Sequence, residues 1–276
     1  MWQDPASLAD RVLQAIDNRE GITSPAACRF LGQTGEAPEG WIAAADPVYL
    51  EPRLDHLCLH SLSGAMRDGE LSQLVEHLQD SLGDAAEFLS VGACGYVKVA
   101  EMPVSRYDPD ALHGYVPDRF LAEGEGVEVT RRLQSEIEMA LHDHPVNLRR
   151  QADRLQPVNA LWLWGGGALT APSQTGLPAL FANDPLLRGF WSASGASASG
   201  WSESLPAVFE QVGVAVVPED DGLGVEDRLD AIRTAFAKGR ARAVRLVTRD
   251  GFCLTLSRRD RWKLWRREID LNGGRT

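Results

Sequence analysis

Residues Val158 to Trp164 form a nearly unbroken apolar run of strand length, and the run opens directly onto Gly165-Gly166-Gly167. No other segment restricts the fold so tightly. A strand of that content must be covered on both faces, and the sheets that meet this demand most often are parallel ones flanked by helices. The expectation is therefore a buried parallel strand that leaves through a glycine loop at its carboxyl end. Upstream, Val48 to Leu50 and Leu54 to His60 are expected as short strands around Pro52. Leu71, Leu74, Val75, Leu78 and Leu82 follow at helical spacing up to Gly83, and Ala86 to Val91 and Tyr96 to Ala100 supply two more strands. That order makes a β-β-α-β-β unit, an α+β layer with one helix on a small sheet.

The flanks are read the same way. Leu8, Val12, Ala15 and Ile16 predict a helix within residues 5–17, and the glycines and prolines of residues 18–40 predict a loop. Thr130 is an N-cap candidate for a helix carrying Leu133, Ile137, Ala140, Leu141 and His144 on one face, stopped by Pro145. Beyond the glycines the pattern is α/β. A helix on Leu205, Val208, Phe209 and Val212 precedes a strand at Val214 to Val217, and a helix on Val225, Leu229, Ile232 and Phe236 is closed by Gly239. Ala243 to Thr248 and Phe252 to Leu256 flank Asp250-Gly251, which predicts a hairpin.

Charge is unevenly divided. Residues 228–276 hold 14 Lys and Arg against 5 Asp and Glu, a balance of +9 in a chain whose total is −11, so residues 1–227 carry −20. An acidic body repels nucleic acid and anionic lipid, and the basic end is expected to rest on that body. The stretch from Arg258 to Arg267 interleaves cations with aromatics as single-strand binders do, but Trp262, Trp265 and Ile269 recur as the apolar stripe of a docked helix. Nucleic acid is not an expected partner. With no run of 18 apolar residues and no basic n-region before an apolar segment at Met1 to Pro5, neither a membrane span nor a secretory signal is expected, and the cytoplasm is the expected location. Cys28, Cys58, Cys94 and Cys253 have neither zinc-pair nor disulfide-framework spacing and are expected reduced and mostly buried.

The densest polar cluster runs from Glu138 through His142, Asp143 and His144 to Arg149 and Arg150. Glu138 and His142 are i, i+4 partners able to share a metal with Asp143 or His144. A histidine in the last helical turn is also accounted for by the helix dipole, no third ligand has a motif spacing, and no metal or other cofactor is expected. Asn147 after Pro145-Val146 fits a turn-former that bonds backbone. The three glycines match neither GxGxxG nor GxxxxGK[ST], and no Gly-x-Ser-x-Gly is present, so a hydrolase triad is not expected.

Three strings in order resemble a known family: Leu141-His142-Asp143-His144-Pro145-Val146-Asn147, then Pro157-Val158-Asn159 through Gly167, then Gly176-Leu177 with Pro185-Leu186-Leu187-Arg188-Gly189. They resemble the archaeal-type cofactor-independent phosphoglycerate mutases. Ala45-Asp46-Pro47-Val48, the His-Asp-His-Pro-Val-Asn run and Leu161-Trp162-Leu163-Trp164 resemble more closely the shorter bacterial RpfE-type regulatory proteins. The likeness covers roughly residues 41–195. It implies an α/β fold of the alkaline phosphatase superfamily: an N-terminal helix and loop over residues 1–40, an α+β cap-like domain over 41–155, and a truncated α/β core over 156–276 with the hairpin and basic helix.

The family's chemistry uses two metal ions and a serine nucleophile. Here residues 1–40 contain no Asp-Gly pair, Gly251 stands where a ligand histidine would follow Thr248-Arg249-Asp250, and Ala93 to Lys98 lacks the family's strand arginine. The resemblance therefore implies a non-catalytic regulatory or binding protein, with metal-dependent phosphoryl transfer as the alternative. His142, His144, Asn147, Arg149, Asn159, Gly165, Gly166, Gly167 and Arg188 are the candidates for a small-anion pocket, and a protein partner is the other expected ligand.

Overall fold

The structure is a computed structural model and describes residues 5–17, 21–170, 176–201, 212–218 and 224–257. Its centre is an antiparallel sheet organised around one long strand, β1 (Trp41–Pro52). Along one edge β1 pairs with β5 (Ala160–Ala168), from Trp41 opposite Ala168 to Val48 opposite Ala160. Along its other edge the first half pairs with β4 (Cys94–Lys98) and the second half with β2 (Leu57–Ser61), while β3 (Glu87–Val91) pairs with β4. Pro47 falls between the last β4 partner, Ala44, and the first β2 partner, Val48, where a missing N–H leaves no ladder bond unmade.

β5 is therefore antiparallel, not parallel, and Gly165 to Gly167 lie inside it rather than in a loop. The apolar run misled because this antiparallel sheet is covered on both faces. Leu161 and Leu163 join Ala43, Ala45 and Val97 against Leu71, Leu74 and Leu78 of α3 (Glu70–Leu82) and Leu133 and Ile137 of α4 (Val127–Leu141). Ala160, Trp162 and Trp164 alternate to the opposite face with Ile42, Ala44 and Val48, against Ala26 and Ala27 of α2 (Pro25–Thr34). Double coverage, not strand direction, removes polar residues from a strand. Because β5 bonds to β1, one sheet crosses the boundary placed at residues 155 and 156.

The expected loop over residues 18–40 contains α2 instead. Pro25 opens it at the first turn, Gly35 closes it in the left-handed conformation at φ 78°, and Gly32 inside it is a packing device rather than a breaker. The helix lies against α6 (Pro185–Ala193) so closely that a Cβ on Gly32 would stand 1.8 Å from the Pro185 carbonyl oxygen, and one on Gly189 would stand 1.7 Å from that of Cys28. Helix α1 (Leu8–Ala15) is capped by Ser7 and Asp10 and, with α2 and α6, covers a small parallel sheet in the order β7 (Ala198–Ser199), β6 (Ala179–Phe181), β8 (Gly213–Ala215).

Helix α4 begins at Val127 after Gly126, not at Thr130, whose hydroxyl instead donates to the Pro103 carbonyl at 2.5 Å. The helix stops at Leu141, ahead of Pro145, so His144 is not on its face; Pro145 instead starts α5 (Pro145–Ala152). Helix α7 (Val225–Ala237) and the hairpin of β9 (Ala243–Val247) with β10 (Cys253–Ser257) form as expected. The Leu205-to-Phe209 part of the expected helix and the basic stretch 258–267 lie outside the described residues. Of the cysteines only Cys28 is buried; Cys58 and Cys94 are half-buried and Cys253 is exposed. Among the described residues, no helix is long and apolar enough to cross a membrane.

Candidate functional site

Asp46, in the Ala45-Asp46-Pro47-Val48 motif, points to the α2 side of the sheet because its neighbours Ala45 and Pro47 alternate to the other face. There it meets Arg29 of α2 in a two-pronged ion pair, Nη1 to Oδ2 at 2.6 Å and Nη2 to Oδ1 at 2.9 Å. Trp164 Nε1 donates to the same Oδ2 at 2.7 Å, Arg29 Nη2 donates to the Gly95 carbonyl at 3.0 Å, and Arg29 Nε reaches the Tyr96 hydroxyl at 3.1 Å. The Tyr96 hydroxyl in turn donates to Gln33 Oε1. The guanidinium lies 4.8 Å from the Tyr96 ring centroid and 5.3 Å from that of Trp164. Burial opposes the Arg29 charge, but the Asp46 carboxylate together with Tyr96 and Cys94 outweighs it and holds the pKa above the ordinary arginine value. Every polar atom of this centre that the contacts define is turned inward, so Asp46 is committed to the scaffold.

Asn147 is equally committed. Its amide donates to the Leu141 and Val158 carbonyls at 2.8 Å each and accepts from Val158 N–H at 2.8 Å, which ties the end of α4 to the start of β5. Asn159 exchanges bonds of 2.8 and 2.9 Å with the backbone of Leu50 and extends the β1–β5 ladder by one side-chain rung. Beside them, the buried Arg150 pairs with Glu70 at the start of α3 and donates to the Gln156 carbonyl at 2.8 Å. Sequence reading placed Arg150 in the polar cluster but did not pair it with Glu70. An acidic residue after Gly69 at a helix start is the signal that was available.

The glycines serve close packing. A Cβ on Gly165 would stand 3.0 Å from Pro25 Cβ, one on Gly166 2.2 Å from the Trp41 ring, and one on Gly167 2.9 Å from Ser24 Oγ. Gly165 also needs its φ of 64°. Eight strand steps separate Asn159 from Gly167, roughly 26 Å at ~3.3 Å per residue, so one pocket does not hold both. Arg188 is exposed on α6. The nine candidate residues thus do not all line one pocket.

The place with free valence is the corner where α3 meets α5. His144 is the N-cap of α5, its Nδ1 accepting from Val146 N–H at 3.2 Å, and its ring lies 4.9 Å from that of His77. Burial, then His77 and Arg149, hold the His144 pKa below the usual imidazole value. Arg149 is exposed and spends one donor on Gln73 Oε1 at 2.7 Å. His142 is exposed next to them. His77, which sequence reading passed over, is thus the third imidazole of this corner. No three of Glu138, His142, Asp143 and His144 are gathered closely enough to share an ion; among the described residues one group of three is, Glu51 with Cys58 and His60.

A second titrating group lies on the loop that crosses the α2 face. Asp108 is pushed up to about 6 by burial, with Asp110 and Asp46 adding repulsion and the Ala111 N–H bond opposing them. A carboxyl whose folded pKa exceeds its unfolded value of about 3.9 favours the fold at low pH and loses that contribution as pH rises to 6. Asp108→Asn, which keeps the bond to Ala111, is expected to raise stability by about 1 kcal/mol at pH 7.5 and by nothing at pH 4, the partial exposure of the group reducing the full linkage value. Urea midpoints at the two pH values measure this. An unchanged or lowered midpoint at pH 7.5 counts against it.

No family model matches the chain. A probable 2,3-bisphosphoglycerate-independent phosphoglycerate mutase of Geobacter sulfurreducens is 28% identical over 126 residues, 44% of this chain and 31% of that protein. A 2,3-bisphosphoglycerate-independent phosphoglycerate mutase of Methanosarcina mazei is 34% identical over 59 residues, 21% of this chain and 15% of that protein. The matched part thus spans a third or less of either curated relative. Among solved structures, the cofactor-independent phosphoglycerate mutase of Thermoplasma acidophilum aligns at a TM-score of 0.42 and 17% identity, covering 87% of this chain and 71% of that one. The PH0037 protein of Pyrococcus horikoshii aligns at 0.45 and 15% identity, covering 86% and 63%. Over part of its length, then, this mixed α/β chain is related at low identity to the 2,3-bisphosphoglycerate-independent phosphoglycerate mutases.

Proposed function

We propose that the chain is a non-catalytic regulatory or binding protein of RpfE type, derived from a cofactor-independent phosphoglycerate mutase, and that it holds a small phosphorylated anion at the α3–α5 corner. One observation carries this reading. Three polar side chains of the motifs it shares with the mutases are engaged inside the protein: Asp46 by Arg29 and Trp164, Asn147 by Leu141 and Val158, Asn159 by Leu50. A group held in place by internal bonds must break them to turn toward a substrate, and leaves its backbone partners unpaired when it does. His144 and Arg149 keep donors at this partly exposed corner, where an anion would meet a guanidinium fork and the His144 imidazole, while His77 gives its Nε2 proton to the Ala140 carbonyl at 3.2 Å and packs against His144.

The test is calorimetric titration with 3-phosphoglycerate and with inorganic phosphate, alongside an interconversion assay with Mn²⁺. Saturable binding that weakens about tenfold or more in Arg149→Ala, without turnover above the protein-free blank, is expected. Turnover above the blank that disappears in His142→Ala or His144→Ala would establish the second reading, metal-dependent phosphoryl transfer. Binding of neither anion would remove the anion from the proposal and leave a protein partner as the ligand.

A further inference from the structure

The β1–β2 hairpin gathers a thiol, an imidazole and a carboxylate on one face, and neither the sequence motifs nor the anion corner uses them. Glu51 is directly opposite Cys58 in the ladder, and His60 follows Cys58 by two residues on the same strand. The period of a strand therefore aims Cys58 and His60 the same way, opposite to Leu59, which is buried in the α2-side core. Their donor atoms all lie within 4.8 Å of one another, and His60 Nε2 is 2.8 Å from Glu51 Oε2. Two contacts steady the imidazole: Tyr49 stacks on it at 6.0 Å between ring centroids, and His113 meets it edge-on at 5.2 Å. His113 is placed there because its loop runs along the outer edge of β2, with Gly114 N–H donating to the Leu59 carbonyl and Leu59 N–H to that of Tyr115.

We propose that Glu51, Cys58 and His60 form a binding site for a divalent transition-metal ion of the zinc class. Thiolate and imidazole together select such ions over magnesium and calcium, which take oxygen ligands. In a tetrahedral site the donors stand roughly 3.3–3.8 Å apart, as bond lengths of about 2.0–2.3 Å require. To reach that spacing the Glu51–His60 pair, now at 2.8 Å, opens and the Cys58 sulfur, within 4.8 Å of both, closes in, movements of side chains on a fixed ladder. One competitor is present: Arg53 Nη2 lies 2.7 Å from Glu51 Oε2. The Arg53 side chain is 52% exposed, so the ion displaces a solvated partner and not a buried one. Three protein ligands leave one coordination position open to water, beside His113. This site shares no residue with the α3–α5 corner, so either assignment stands or falls without the other.

Chelator-stripped full-length protein titrated with Co²⁺ is expected to bind one ion per chain with a thiolate-to-cobalt charge-transfer band, which Zn²⁺ then abolishes by displacement. Cys58→Ser removes the band, and His60→Ala and Glu51→Gln weaken binding by about tenfold or more, while Cys253→Ser leaves the band intact. Absence of the band in the unaltered protein, or its persistence in a folded Cys58→Ser variant, overturns the proposal. A readout free of substitutions guards against misfolded variants: Zn²⁺ should slow alkylation of Cys58 in the unaltered protein and leave Cys253 unaffected. Equal alkylation of Cys58 with and without Zn²⁺ likewise overturns it.

Discussion

Asp46→Ala is expected to lower the free energy of unfolding by about 3–5 kcal/mol, the cost of leaving a buried charge without its partner. Arg29 is 8% exposed and stays charged when the carboxylate is gone. Its remaining partners are the Gly95 carbonyl and the Tyr96 hydroxyl, both neutral. Trp164 Nε1 loses its acceptor as well, in a place too enclosed for water to substitute freely. Against a typical total stability of about 5–15 kcal/mol, the variant would stand near its folding threshold at 37 °C. The double variant Arg29→Met, Asp46→Leu removes both charges at similar volume and is expected to recover most of the loss, since a buried ion pair contributes little net stability over well-packed apolar residues. Urea unfolding followed by tryptophan fluorescence measures all three proteins. A loss below about 1 kcal/mol in Asp46→Ala, or a double variant no better than the single one, would show that the pair does not hold α2 to the sheet.

The second large effect is steric. Gly32→Ala and Gly189→Ala each place a methyl inside a neighbouring backbone, at 1.8 and 1.7 Å from a carbonyl oxygen. No side-chain rotation relieves a clash with backbone, so α2 and α6 must separate by more than an ångström and surrender the contacts of Cys28, Leu187 and Phe190 in the core between them. Overpacking of this kind costs about 3 kcal/mol or more, the upper end of what core insertions show, although alanine is otherwise the better helix former. Thermal unfolding of each variant tests it. A melting temperature equal to or above that of the unaltered protein in Gly32→Ala would mean the helices do not approach as described. Gly35→Ala is a different case, because nothing stands within 4 Å of its Cβ and only its φ of 78° is at stake.

These two effects involve residues that the sequence marked poorly. Gly32 and Gly35 were both signs of a loop, yet one is a contact surface and the other a helix stop, a distinction that depends on Pro185 and Gly189 more than 150 residues later. Arg29 and Asp46 are 17 residues apart and carry no common periodicity; Asp46 and Trp164 are 118 apart. Of the candidate anion ligands, Asn147 was also read as a residue that bonds backbone, and it does so. For the three glycines close packing is the favoured reading beside ligand binding, and close packing is what they serve; Asn159 is a candidate ligand because a polar residue beside an apolar strand has the same sequence whether it faces a ligand or a neighbouring strand.

Local pattern alone determined the elements whose stability is decided within a few turns or one hairpin. The buried stripe Leu71, Leu74, Val75 and Leu78, the helix through Leu133, Ile137 and Leu141, and the turn at Asp250-Gly251 are of this kind. Tertiary structure alone decided that β5 runs antiparallel to β1, that a glycine-bearing segment is helical, and that His77, His144 and Arg149 meet while Asn159 and Gly167 lie at opposite ends of a strand. The reason is that period records how many faces of an element are covered, whereas strand direction and the convergence of side chains depend on which distant segment does the covering.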